Sequence, residues 1–282
     1  MASPSSSVQE ARRALGRRLR EIRRESGLTG RELARRAGWH ESKTSRLEHG
    51  RTPPSDADIR VWTEICGATG QAPDLLATAR GIEGQYVEWR RMERAGLMHV
   101  QESVRPLFDR TRRFRTYQSW VVPGLLQTDD YTRAVLSTVG TLRDVPDDID
   151  AAVAVRMDRQ RILRTGDHRF AMLIEEWVLR TVIGDAEIMA RQLRHLIAAA
   201  ALPSVSLGIV PLGRPRGVGW PVESFTMYDD TQVNVELVSA HLTVSQPQEI
   251  REYARAFAEL AAIAVHGTHA TSLVTAAIDA LE

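Results

Sequence analysis

Glu41, Ser42, Lys43 and Arg46 are the residues of this chain whose types and spacing come nearest to a chemistry. An arginine fork can bridge the O6 and N7 acceptors of guanine. A glutamate can accept from the N4 amine of cytosine, and a serine serves several bases. All four residues lie in one short segment whose core-facing positions are taken by Thr44 and Leu47, so they point away from the core. A helix that turns such side chains outward has the means to read base edges in the major groove of DNA.

A short helix of this kind needs a second one crossing it closely. Within Leu28–Gly50, Ala34 is small enough for two helices to approach and Gly38 permits a turn, the pattern of a helix-turn-helix. Upstream, Leu15, Leu19 and Ile22 recur at helical spacing through Ala11–Ser26, and Gly27 ends that helix. Thr29 with Glu32 forms one capping-box pattern; Ser55 with Asp58, after Pro53-Pro54, forms a second. The helix behind Ser55 turns Ile59, Trp62, Ile65 and Cys66 inward, and a further helix over about Ala72–Ala79 completes five. Cys66 reads as a small core residue. The expectation is a disordered tail over residues 1–10 and an all-α five-helix domain over 11–83.

Charge supports that division. The formal net charge of +1 conceals 13 basic and 6 acidic side chains in residues 1–55, against 24 and 30 in the remainder. A basic end on an acidic body is the electrostatic outline of a nucleic-acid binder with an appended domain. With 282 residues, 43% hydrophobic and 26% charged, the chain has ample material for cores. Its apolar runs, such as Ile197–Leu202, are too short to cross a bilayer, and Met1–Ser7 has no apolar signal segment, so a cytoplasmic, nucleoid-associated location is expected. One cysteine excludes a disulfide framework and a multi-cysteine zinc site.

The Gly-containing segment 81–85 reads as a join, followed by an α+β domain over 84–282. A helical stretch is expected from Tyr86 to Glu93, then helices at Asp129–Val139, Asp148–Arg164, Asp185–Ala201, Gln248–Val265 and Ser272–Leu281. Strands are expected at Phe114–Val122, Phe170–Ile174, Val205–Val210, Ser224–Tyr228 and Gln232–Leu237. Enzyme signals are thin. His266 and His269 lack carboxylate or cysteine partners and read as exposed loop residues. Glu175 and Glu176 are adjacent and diverge, and Asp167-His168 reads as a turn entering a strand. The glycine-rich, basic run Gly213–Gly219 lacks the following helix of a phosphate loop and reads as a mobile surface loop open to an anion or a partner. No enzyme activity, cofactor or metal is expected.

Two resemblances cover nearly the whole chain. Gly27-Leu28-Thr29-x-x-Glu32-Leu33-Ala34, Gly38 and Ser42-x-x-Ser45-Arg46-Leu47-Glu48-x-Gly50 resemble the Xre or lambda-repressor class of helix-turn-helix proteins. That resemblance implies base-reading positions at Glu41, Ser42 and Arg46 with Lys43 beside them, and phosphate contacts from Arg17, Arg18, Arg31 and Arg51. It also implies a structural pair of Arg23 with Glu48. The chain departs from the class in having Gly30 where glutamine is usual and His40 where serine or threonine caps the recognition helix. Val122-Pro123-Gly124-Leu125-Leu126-Gln127-Thr128-x-x-Tyr131 resembles the signature of a regulatory domain in actinobacterial helix-turn-helix proteins, continued at Arg156-x-x-Arg159-Gln160, Glu175-x-x-Leu179-Arg180, Gln192-Leu193, Ile209-Val210-Pro211 and Phe225.

Read by its residues alone, the signature is a rigid Pro-Gly turn with buried leucines and a Thr128 cap, or one wall of a ligand or partner pocket with Trp120, Gln127 and Tyr131 facing inward. The resemblances imply a transcriptional regulator modulated through its C-terminal domain by a ligand or a small protein encoded nearby. The alternative is an antitoxin-like adaptor whose DNA binding serves autoregulation. A homodimer on a pseudo-palindromic double-stranded operator is expected, because two half-sites lie about one DNA turn apart.

Overall fold

The computed structural model describes residues 4–217 and 219–281, and their side chains except those of 4–8, 10, 77, 80, 83–88, 90 and 91. The chain divides into two units, Met1–Val87 and Glu88–Glu282, so the boundary falls after the expected 83/84.

The first unit is helical: α1 (Pro4–Glu25), α2 (Gly30–Ala37), α3 (Glu41–Glu48), α4 (Asp56–Ile65) and α5 (Ala72–Gln85). Helix α1 opens at a proline, whose fixed φ suits a first helical turn, and so occupies most of the segment expected to be a tail. Met1–Ser3 lie outside the described residues. Both capping boxes form: the side chains of Thr29 and Ser55 accept from the backbone N–H of Glu32 and Asp58, whose carboxylates return the bond. Gly38 ends α2 in the left-handed conformation, φ 68°. Leu15, Leu19, Ile22, Leu33, Ala34, Leu47, Ile59 and Trp62 are buried at the centre, and the Trp62 indole donates to the Leu19 carbonyl at 3.0 Å. Burial pushes the Cys66 thiol up, which disfavours the thiolate. Helix α5 runs straight through Gly81–Gln85, so the expected join is helical; two glycines weaken a helix but do not stop one.

The strand β1 (Tyr86–Glu88) straddles the boundary, replacing the start of the helical stretch expected there. In the second unit, α6 (Trp89–Met92), α7 (Leu97–Ser103) and α8 (Arg105–Arg110) precede the sheet. Its strands are β2 (Arg113–Gln118), β3 (Arg169–Glu175), β4 (Val205–Val210), β5 (Phe225–Tyr228), β6 (Gln232–Glu236), β7 (Ala240–Val244) and β8 (Val265–His266). They lie in the order β7-β6-β5-β2-β3-β4-β8. β2, β3 and β4 pair in parallel; the other neighbours are antiparallel. The unit is therefore α+β with a mixed sheet. Between the strands come α9 (Asp129–Arg143), α10 (Ile149–Arg159), α11 (Glu176–Arg180), α12 (Ala186–Ala200) and α13 (Pro247–Ile263), and α14 (Gly267–Asp279) follows β8.

Side chains alternate between the two faces of the sheet. On one face Phe114 lies in register with Phe170, their rings stacked at 4.8 Å, and joins Met172, Ile174 and Leu207 in a core closed by Met189, Leu193 and Leu196 of α12 and Val274 of α14. On the other, Tyr117 and Phe225 are in register and meet α13, where Tyr253 and Phe257 lie 4.9 and 6.5 Å from the Phe225 ring. Several expectations are corrected here. β2 stops at Gln118, short of Val122. His266 pairs with Gly208 in β8 and Gly267 begins α14, so the two exposed histidines are not in a loop. β7, α7, α8 and α11 were not foreseen; three of these are too short for a period to declare itself.

Candidate nucleic-acid interface

Helix α3 is held from behind. The Arg23 guanidinium donates through Nε and Nη2 to both oxygens of Glu48, at 2.5 and 3.1 Å, and through Nη1 to the Leu28 carbonyl at 2.7 Å. Both side chains are buried, and the paired forks fix the last turn of α3 against α1. Two glycines permit that approach. A Cβ on Gly16 would stand 2.6 Å from the Glu48 carbonyl, and one on Gly50, at φ 63°, would stand 2.7 Å from the Arg12 backbone. At its other end α3 is capped by His40, whose Nδ1 accepts from the Ser42 N–H at 3.3 Å. The unusual residue therefore performs the capping role.

Successive residues of an α-helix step by about 100°. On α3 and its C-cap residue His49 this places Glu41, Ser45, His49, Ser42 and Arg46 within one arc, where Glu41, Ser45, Arg46 and His49 are exposed and Ser42 is half-buried. Thr44, Leu47 and Glu48 form the buried side. Lys43 lies off the arc: its Nζ donates to Asp58 Oδ1 of α4 at 2.6 Å and sits 4.3 Å from the Trp39 ring centre. Burial pushes the Asp58 carboxyl up, but Lys43 and the Ser55 cap outweigh burial and leave it below the ordinary value. Ser45 and His49, at the middle of the arc, escaped the sequence reading, although the spacing of four from Glu41 carried the signal. The His49 ring is steered by a 2.7 Å hydrogen bond between Nδ1 and the Ser45 carbonyl.

Arg17, Arg18, Arg31 and Arg51 are all exposed. Arg31 pairs with Glu41 at 3.2 Å, linking two residues to which the sequence assigned separate tasks. Arg18 is occupied along α1 by Glu21 at 3.0 Å and by Gln71 at 2.8 Å. Among the described residues no ion pair holds Arg17, Arg46 or Arg51, which leaves their guanidiniums available.

In the second unit the Val122–Thr128 segment is a 3-10 turn (Gly124–Leu126) wrapped by glutamine amides. The Gln127 amide donates to the Val122 carbonyl at 2.7 Å, and Gln160 donates to the Gln127 carbonyl at 2.7 Å. Gln192 donates to Leu126 O and accepts from Thr128 N–H, both at 2.7 Å. The Thr128 side chain in turn caps α9 at Tyr131. Arg156 reaches the side-chain oxygens of Gln127 and Gln101, both at 3.1 Å, and Arg159 reaches the side-chain and backbone oxygens of Gln101, also at 3.1 Å. The scattered residues Gln127, Arg156, Arg159, Gln160 and Gln192 are thus one polar network built around a turn whose backbone groups no regular ladder satisfies.

A family model for a helix-turn-helix domain matches residues 14–76. A second, for a domain of unknown function named DUF5753, matches residues 109–276, more than half of the chain. The chain belongs to the DUF5753 family. No curated protein matches it. Among solved structures, that of TrmBL2, described as an archaeal chromatin protein with a novel mode of DNA binding, overlaps 85% of this chain and 88% of its own at 10% identity and a TM-score of 0.32. An overlap at that score carries no argument.

Within the DUF5753 domain the three candidate pocket residues do not converge. Trp120 is 47% exposed, whereas Tyr131 is wholly buried and accepts from the Val122 N–H through its phenol oxygen, with burial pushing the phenol up to about 12. Gln127 alone lines a cavity, of about 230 Å³, which shares Gln101, Arg156, Arg159 and Glu236 with a second of about 140 Å³. The loop expected to be mobile is pinned. Arg216 grips the fully buried Glu175 with both arms, at 2.7 and 2.5 Å, Tyr117 donates to the same carboxylate at 2.7 Å, and Leu212 N–H donates to Glu176 at 2.8 Å. Val218 lies outside the described residues. Glu175 and Glu176 are therefore structural anchors, and Arg216 is not free for an anion. Among the described residues no cluster of three His, Cys, Asp or Glu could hold a metal ion, and no helix is long and apolar enough to cross a membrane.

Proposed function

We propose that this DUF5753 protein is a sequence-specific DNA-binding transcriptional regulator. Helix α3 reads base edges through Glu41, Ser42, Ser45 and Arg46, and Arg17, Arg31 and Arg51 hold phosphates on either side. The observation that carries this reading is the outward arc of α3, bearing Arg46 without an ion pair among the described residues and set within the basic residues 1–55. An arginine fork held ready on a rigid helix costs little ordering when it meets guanine.

The C-terminal domain dimerises the chain and receives the signal, from a ligand or a small partner protein, that governs DNA binding. It has no catalytic role. Two copies then meet a pseudo-palindromic site whose half-sites lie about one helical turn apart. The test is footprinting of the full chain on the DNA upstream of its own gene, repeated with Arg46→Ala. A symmetric footprint that R46A abolishes, while residual binding to unrelated DNA persists, is the expected result. Equal protection of unrelated DNA by the unaltered chain would sink the proposal.

A further inference from the structure

We infer that the cavity beneath α10 binds a small organic carboxylate, its head group taken by Arg156 and Arg159. Both guanidiniums project from one turn of α10 into walls common to the two cavities. All their hydrogen-bond partners are neutral, the oxygens of Gln101 and Gln127. Among the described residues no carboxylate lies within ion-pair distance of Arg156, and none of Arg159. Elsewhere in the domain the enclosed arginines have one: Arg143 meets Glu93 and Arg216 meets Glu175. Arg159 is only 8% exposed, and its Nε is buried without a hydrogen-bond partner. A buried cation beside a half-buried one, neither within ion-pair distance of a carboxylate, is a costly arrangement, and an anion in the cavity would relieve that cost. The local field agrees: burial drives Arg159 down to about 10, with the repulsion of Arg156 adding to it, and burial lowers Arg156 as well.

The kind of anion follows from the walls. Glu236 also lines both cavities and acts on Arg156. Two guanidiniums against one carboxylate leave a surplus of one positive charge, which suits a monoanion better than a phosphate dianion. Leu97, Leu136, Val139 and Met172 supply an apolar wall for the body of the ligand. About 230 Å³ is below the roughly 300–1,000 Å³ of drug-sized sites, so the occupant is small.

The inference goes beyond the DNA reading and is measured without DNA, so the two stand or fall separately. Thermal denaturation and calorimetry of the full chain would use benzoate and hexanoate as probes, with benzamide as the neutral control and phenyl phosphate as the dianion. A melting temperature that climbs with benzoate or hexanoate and not with benzamide is expected. Arg156→Met and Arg159→Met should each weaken carboxylate binding by about tenfold or more, since each removes charged hydrogen bonds. Arg156→Lys, which keeps the charge but not the fork, serves if the methionine variants do not fold, and should lose affinity also. Absence of binding by both carboxylates, equal binding of benzamide, tighter binding of phenyl phosphate, or undiminished affinity in a folded variant would each overturn the inference.

Discussion

Lys43 Nζ stands 2.6 Å from Asp58 Oδ1, so the one lysine of the candidate reading helix is tied to α4 and not to the groove-facing arc. The pair is partly exposed, and such pairs contribute at most about 1 kcal/mol. Lys43→Met should therefore cost about that much in denaturant unfolding and leave base preference in a selection from random sites unchanged. The sign with pH is fixed by Asp58, whose folded pKa lies below its ordinary value. Its share of stability is present above the unfolded pKa of about 3.9 and lost as pH falls through the folded value. The gap between wild type and K43M should be flat near neutrality and close in acid, below about pH 4.

Glu48 is a different case, because Arg23 and Glu48 are both buried. Glu48→Ala leaves the Arg23 cation enclosed with only the Leu28 carbonyl, an arrangement that costs about 3–5 kcal/mol. Unfolding monitored in the first unit should show that loss. A cost under about 1 kcal/mol would mean that Arg23 escapes to water.

The close approach of α1 to α3 makes a sharper test. Gly16→Ala would normally strengthen a helix, yet its Cβ would fall 2.6 Å from the Glu48 carbonyl, and such overpacking costs about 1–3 kcal/mol. Gly70→Ala, where nothing lies within 4 Å, is the control and should change stability by no more than about 0.5 kcal/mol. Equal effects from the two in thermal melts would refute the packing account.

Local chemistry decided how much of this was legible. Thr29, Ser55 and Thr128 announce their helices because a cap is a contract between neighbours in sequence. The pairing of Arg23 with Glu48 came from resemblance, since nothing local joins two residues so far apart. The tie of Lys43 to Asp58 is hidden from sequence because Asp58 belongs to the next helix, whereas the place of Ser45 on the arc follows from its period alone. In the second unit the strands with strong apolar runs were visible. Arg216 and Glu175, or Gln192 and the Leu126 carbonyl, meet only through tertiary structure, and no spacing could pair them.

Gln192 tests whether the signature is built as a network. Its amide satisfies Leu126 O and Thr128 N–H at once, within a buried turn. Gln192→Ala would orphan both groups, at about 1–3 kcal/mol each. Gln192→Leu, with similar bulk, should be nearly as damaging, because the loss is of hydrogen bonds and not of volume. If Q192L melted like the wild type, the backbone groups would have to find water instead.

Arg31 and Glu41, paired at 3.2 Å on the exposed surface, set two effects against each other when DNA arrives. Glu41 is a negative charge facing a polyanion, so by charge alone it weakens binding to every sequence. As an acceptor for cytosine N4 it would favour its own site by about 1–3 kcal/mol. Glu41→Gln removes the charge and keeps the shape. It should strengthen binding to unrelated DNA while lowering the ratio of specific to non-specific affinity, measured on both DNAs at one salt concentration. Arg31→Ala should act oppositely, weakening all DNA alike and lowering the salt slope by about one, because a phosphate contact carries no base information. If E41Q raised both affinities by the same factor, Glu41 would be a bystander that Arg31 merely neutralises, and Arg46 with Ser42 and Ser45 would carry the reading.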